Sequence, residues 1–188
     1  EQIKDGDEIK ALEIGRYAFY GRTVSLKDIE KYKGLTINEF AFAFCTFEHE
    51  GSNFYGIQID NGADPITIGN HAFYNSKLGS SDTNIFKLVI GTCGKNSFIG
   101  YHAFESSQGP LNLTYTDDAG VIEIRDYAFY RSGIYNSPPI KEEEDKFIKI
   151  VDHFNLIGTR AFAECQLISD AVYIKGVSVG KYAFYNCK

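Results

Sequence analysis

The sequence contains no Met and no Trp, and it has only four Pro and four Cys in 188 residues. It also lacks any run of about 18 or more apolar residues, so no segment reads as a membrane-spanning helix. Basic residues are too few to dominate: 19 Lys plus Arg stand against 25 Asp plus Glu, a formal net charge of −6. Nucleic acid and membrane insertion are therefore not expected, because phosphate partners need a basic field. Met is missing even at position 1, where Glu1 stands, so the chain reads as a processed or excised piece of a longer protein. What is present suits one β-rich domain over residues 1–188: 44% hydrophobic residues, 15 Phe and 13 Tyr.

One six-residue pattern occurs seven times: an aliphatic residue, usually Gly, two variable residues, Ala and Phe. The copies are Ile14 to Phe19, Ile37 to Phe42, Ile68 to Phe73, Ile99 to Phe104, Ile124 to Phe129, Ile157 to Phe162 and Val179 to Phe184. The Phe residues lie 23, 31, 31, 25, 33 and 22 positions apart, as expected of a short repeat core with loops that accept insertions. Between copies run alternating segments: Leu26 to Ile29, Phe54 to Ile59, Ile85 to Ile90, Leu111 to Leu113, Ile148 to Ile150 and Val172 to Ile174. Period-two alternation predicts strands with one buried face, and the Gly, Asn and Asp residues that follow several of them predict chain reversals. One such coil cannot bury its apolar side alone. Coils stacked at roughly 4.8 Å pair their strands in parallel and share one core. Phe then forms a buried column, Ala is small for close packing, and Gly is expected to permit a tight bend.

The closing half of the unit, as in Ile157-Gly158-Thr159-Arg160-Ala161-Phe162-Ala163-Glu164-Cys165, resembles the leucine-rich repeats of the BspA type over nearly the whole chain. The chain departs from that pattern in long inserts at 45–54 and 132–146 and in lacking the usual Pro after the strand. The resemblance implies a β-rich α/β solenoid, a right-handed superhelix of parallel stacked strands with short helical or 3-10 turns. It further implies a secreted or cell-surface protein that works in adhesion or protein binding, with a host or cell-surface protein as partner, and no cofactor.

Cys45, Cys165 and Cys187 fall three residues after a repeat Phe, where other copies carry Ser76, Ser107 or Ser132, so the position calls for a small side chain. Cys165 and Cys187 occupy neighbouring coils, and their pairing is left open. His71 and His102 share one repeat position with Tyr17, Phe40, Tyr127, Arg160 and Tyr182. Two imidazoles one coil apart could hold a metal, but the column calls for flat side chains that stack, and no carboxylate or Cys in the motif completes a ligand set. The acidic run from Lys141 to Lys146 reads as a solvated insert. No Ser, Cys or carboxylate pair stands apart as a catalytic centre, so a non-enzyme is expected.

Binding is therefore expected on the outward middle positions of the strands, Glu30, Gln58, Val89, Asn112, Lys149 and Tyr173, which vary while their neighbours stay aliphatic. Two alternatives stand beside this. A glycan could stack on the aromatic ladder of Tyr17, Phe40, His71, His102, Tyr127 and Tyr182, or the chain could be a structural spacer. Unprotected strand edges at the ends also allow end-to-end self-association.

Overall fold

The computed structural model describes residues 12–26, 29–49, 54–79, 85–116, 118–134, 147–149, 154–165, 171–173 and 176–187. Each hexapeptide opens on a short strand: Glu13–Ile14, Thr36–Ile37, Thr67–Ile68, Ser97–Ile99, Ile122–Ile124, Phe154–Ile157 and Ser178–Val179. These seven pair in chain order into one parallel sheet. The motif aliphatics stand in a single line across it, Ile14 on Ile37, Ile68, Ile99, Ile124, Ile157 and Val179. Identical positions stack because every coil returns the chain to the same point, one strand spacing further on.

A second parallel sheet holds the longer strands Ile29–Lys33, Phe54–Asp60, Ile85–Ile90 and Leu111–Tyr115. Phe147–Lys149 and Ala171–Tyr173 form a separate parallel pair. A third, narrower pairing joins Thr23–Leu26 to Thr46–His49 and continues as single bridges from Thr46 to Lys77 and Gln108. The alternation in the long strands does what period two requires. Tyr55, Ile57 and Ile59, like Phe86, Leu88 and Ile90, are buried, while Gln58, Lys87 and Val89 are only partly so.

The Ala-Phe corner differs from expectation. Among the described residues there is no helical or 3-10 turn; each corner is three successive β-turns. In the first, the amides of Ala18, Tyr20 and Arg22 donate to the carbonyls of Gly15, Tyr17 and Phe19 at 3.1, 3.2 and 2.9 Å. The intervening amides of Tyr17, Phe19 and Gly21 donate to Glu39, Ala41 and Ala43 of the next coil at 3.2, 2.8 and 2.9 Å. Amides thus alternate between closing the turn and joining the coils, so the corner's backbone donors are satisfied without a helix.

This alternation places two residues of every corner in the left-handed region. The first is the ladder residue, from Tyr17 (φ 58°) to Tyr182 (φ 60°). The second lies two residues after Phe and is Gly21, Phe44, Asn75, Ser106, Arg131, Glu164 or Asn186. A left-handed residue with a Cβ costs about 1–2 kcal/mol, so stacking must repay it. The seven motif Phe rings do so in one unbroken pile. Centroid separations run 5.1, 5.1, 4.6, 5.0, 5.1 and 5.4 Å from Phe19 to Phe184, with no two neighbouring planes more than 17° apart. Each such pair contributes about 0.5–1.5 kcal/mol beyond its burial.

The motif Gly is not there for a bend. Gly69, Gly100, Gly158 and Gly180 have no left-handed φ; instead a Cβ on them would lie 2.5–2.7 Å from the preceding coil's backbone. Close approach between coils is the requirement.

Candidate functional site

The long-strand sheet presents its outward residues as columns, and their register corrects two of the expected binding residues. Gln58 pairs with Val89, and Val89 pairs with Thr114. On the other side Gln58 pairs with Lys31, whereas Glu30 pairs with Ile57. Glu30 therefore stands at an inward register position, and Lys31 takes its place outside. Asn112 is likewise displaced. It pairs with Lys87, two residues short of the Val89 level, and is only 4% exposed. The neighbouring segment closes over that end of the strand: the Leu111 amide donates to the Gly133 carbonyl at 3.0 Å, and Leu111 bridges to Ile134.

Both errors have one cause. Tyr32 and Tyr115 occupy the inward level of Ile59 and Ile90. Aligning strands on aliphatic residues alone slips the register by one position at Glu30 and by two at Asn112. Lys149 and Tyr173 do pair with each other in the separate two-stranded sheet, but their side chains lie outside the described residues. The column that the structure assembles is Lys31, Gln58, Val89 and Thr114, exposed at Lys31 and half-buried at the others.

The second candidate surface, the ladder, is assembled as expected. Tyr17 stacks on Phe40 at 5.0 Å, Phe40 on His71 at 4.6 Å, His71 on His102 at 4.9 Å and His102 on Tyr127 at 5.0 Å, all within 14° of parallel. Arg160 continues it as a cation 5.4 Å from the Tyr182 ring centroid. The ladder reaches solvent, most at Tyr17 (46%) and Tyr182 (48%). Phe40, His71 and His102 nonetheless have a ring on each face, so what they turn outward is an edge. A pyranose that stacks on aromatic residues needs a face, and these three rings offer none.

The small position three residues after Phe has a sharper role than size. Cys45, Cys165 and Cys187 donate through Sγ to the carbonyls of Phe19, Phe129 and Phe162 one coil back, at 2.9, 2.8 and 3.0 Å. Ser76 Oγ donates in the same way to Phe42 at 2.6 Å. All four cysteines are free, and Cys165 and Cys187 hold separate carbonyls rather than each other. Burial raises the Cys45 and Cys187 thiols and pushes Cys165 up to about 12, so all three stay protonated and serve as donors. Among the described residues no group of three or more His, Cys, Asp or Glu is placed to hold a metal ion.

The family model for the BspA type leucine rich repeat region matches the chain in six copies, over residues 12–133 and 66–188. The chain belongs to the BspA-type leucine-rich repeat family. No curated protein and no solved structure matches it significantly. Within this leucine-rich repeat solenoid the Phe pile of the corner packs the coils together, and the long-strand sheet carries unlike side chains at its outward level. No helix among the described residues is long and apolar enough to cross a membrane.

Proposed function

We propose that this leucine-rich repeat solenoid is a non-catalytic protein-interaction module of a secreted or cell-surface protein, and that it binds through the outward face of its long-strand sheet. The observation that carries this reading is the contrast between columns in perfect register. Apart from Glu30 at the first strand, the inward levels are apolar or aromatic, Ile57 on Leu88 on Leu113 and Tyr32 on Ile59, Ile90 and Tyr115, while the outward level reads Lys31, Gln58, Val89 and Thr114. A rigid lattice with mostly apolar or aromatic inner positions and unlike outer ones is how a repeat scaffold carries specificity.

The test uses a panel of immobilised purified extracellular proteins as probes. It compares the wild type with a variant carrying Lys31→Thr, Gln58→Thr, Val89→Thr and Thr114→Val, substitutions that strands accept. Binding weakened by about tenfold or more with an unchanged melting temperature supports the face. Undiminished binding rejects it, and a wild type that binds no protein on the panel supports the spacer reading. A hit on a glycan array would move the site to the sugar reading, which the covered ring faces of the ladder disfavour. Self-association through the solenoid ends is a separate expectation, checked by sedimentation over a range of concentrations.

A further inference from the structure

One step of the corner ladder is unlike the rest, because two imidazoles face each other across it. His71 and His102 lie 4.9 Å apart with planes 12° from parallel. Phe40 covers the other face of His71 at 4.6 Å, and Tyr127 covers the other face of His102 at 5.0 Å. Tyr74 adds its ring against His71 at 5.5 Å. A proton on either ring must therefore be accommodated between aromatic faces and against the second imidazole.

The charged groups around the pair are unevenly placed. From the second coil comes Glu39, already bridged to Arg16 at 3.4 Å. The third coil brings His71 itself, with Tyr74 as its other titratable neighbour. From the fourth comes Glu105, whose carboxylate contacts Nδ1 of His102, together with Tyr101. The fifth brings Tyr127, Tyr130, Asp126, whose carboxylate accepts the Thr159 amide at 2.7 Å, and Arg131, bridged to Glu164 at 2.8 Å. Protonated His102 has a carboxylate in contact. Protonated His71 has none within ion-pair reach among the described residues.

We propose that the His71–His102 step is a proton-operated joint. With His71 neutral, the two imidazoles stack and close the corner between the third and fourth coils; a proton on His71, which has no carboxylate in contact, repels across the stack and releases it. The backbone is arranged to respond. Both residues are held left-handed, His71 at φ 56° and His102 at φ 57°, a conformation that non-glycine residues keep only while their surroundings enforce it. The coil-to-coil bonds at risk are those from the amides of His71, Phe73 and Asn75 to Tyr101, Ala103 and Glu105, at 2.9, 2.7 and 2.9 Å.

The direction of the pH response follows. Burial first and the neighbouring His102 second hold the His71 value below the ordinary one, with Glu105 and Glu39 opposing. The released corner then binds a proton more readily than the closed one. Closure is complete above about pH 6.5, the ordinary histidine value, and weakens as pH falls through the lower value of the folded state. No other ladder step pairs two imidazoles, so the response is local to this corner.

Residue-resolved hydrogen exchange on the whole chain at pH 7 and pH 5 tests the joint. Protection factors, corrected for intrinsic exchange, are compared for the wild type, His71→Phe and His102→Tyr. Each replacement is a ring that the ladder already carries at Phe40 or Tyr127, and each leaves a single imidazole, so either variant suffices if the other folds poorly. In the wild type, protection of the His71, Phe73 and Asn75 amides should drop on acidification by up to about tenfold per pH unit below 6.5. The equivalent amides of Tyr127 and Phe129 should hold, His71→Phe should abolish the drop, and His102→Tyr, which leaves the burial of His71 in place, should shrink it. An equal drop in either variant, or the same drop at every corner, overturns the proposal.

Discussion

Replacing Phe104 by Ala removes the middle ring of the seven-membered pile, and the structure sets how much that should cost. The ring is fully buried, stacked on Phe73 at 4.6 Å and on Phe129 at 5.0 Å. A buried Phe→Ala change costs about 3–5 kcal/mol through lost transfer energy and an unfilled cavity. Two lost ring contacts put this site in the upper half of that range. Phe19, at one end of the pile, is 42% exposed and stacks only on Phe42, at 5.1 Å, so its replacement should cost about 1–2 kcal/mol. Coils touch only their neighbours, so a weakened central interface should also uncouple the two halves and lower the apparent m-value. Urea unfolding followed by circular dichroism and tyrosine fluorescence measures both quantities, and the absence of Trp leaves tyrosine as the reporter. Equal costs at Phe19 and Phe104, or a cost below about 1 kcal/mol at Phe104, would refute the stacked-core argument.

Three further expectations follow from single sites. Gly109→Ala should cost several kcal/mol or prevent folding, since its Cβ would lie 2.0 Å from the Gly79 carbonyl oxygen at φ +80°. Gly62→Ala, at φ +58° with nothing within 4 Å, should cost about 1 kcal/mol, and thermal melts of the two rank them. Native Cys165 should alkylate roughly 100-fold or more slowly than in urea, because burial holds it protonated through neutral and mildly alkaline pH; equal rates by mass spectrometry would contradict this. Asn61→Leu should cost about 1–3 kcal/mol in chemical denaturation, because Asn61 Oδ1 accepts the Leu35 amide at 2.9 Å and its Nδ2 donates to Leu35 and Pro65 at 3.2 and 2.9 Å.

The corner was legible because its requirements are local and repeated. Seven copies of one hexapeptide located the seven strands of the first sheet, the Phe pile and the ladder, and the family resemblance followed from the same residues. The helical corner was a misreading. Gly21, Asn75 and Asn186, each two residues after a motif Phe, are side chains at home in the left-handed region and marked the β-turn alternation. The motif Gly was assigned to a bend because sequence shows neighbours along the chain, whereas its real constraint, such as Asn38 against Gly69, comes from the coil before. Register failed for a similar reason. Strand pairing is a relation between distant segments, and an inward Tyr in place of an inward Ile was enough to misplace Glu30 and Asn112.

Disulfide trapping tests the column most directly, in a background with the four native cysteines replaced by serine. Val89 and Thr114 pair directly and Val89 and Asn112 do not. An in-register pair has Cα atoms about 4.8–5 Å apart, within disulfide range, while an offset of two residues adds about 6.6 Å along the strand and exceeds the limit of about 7 Å. Val89→Cys with Thr114→Cys should cross-link readily under mild oxidation, and Val89→Cys with Asn112→Cys should not. Cross-linking of the second pair in preference to the first would contradict the outward column of Lys31, Gln58, Val89 and Thr114.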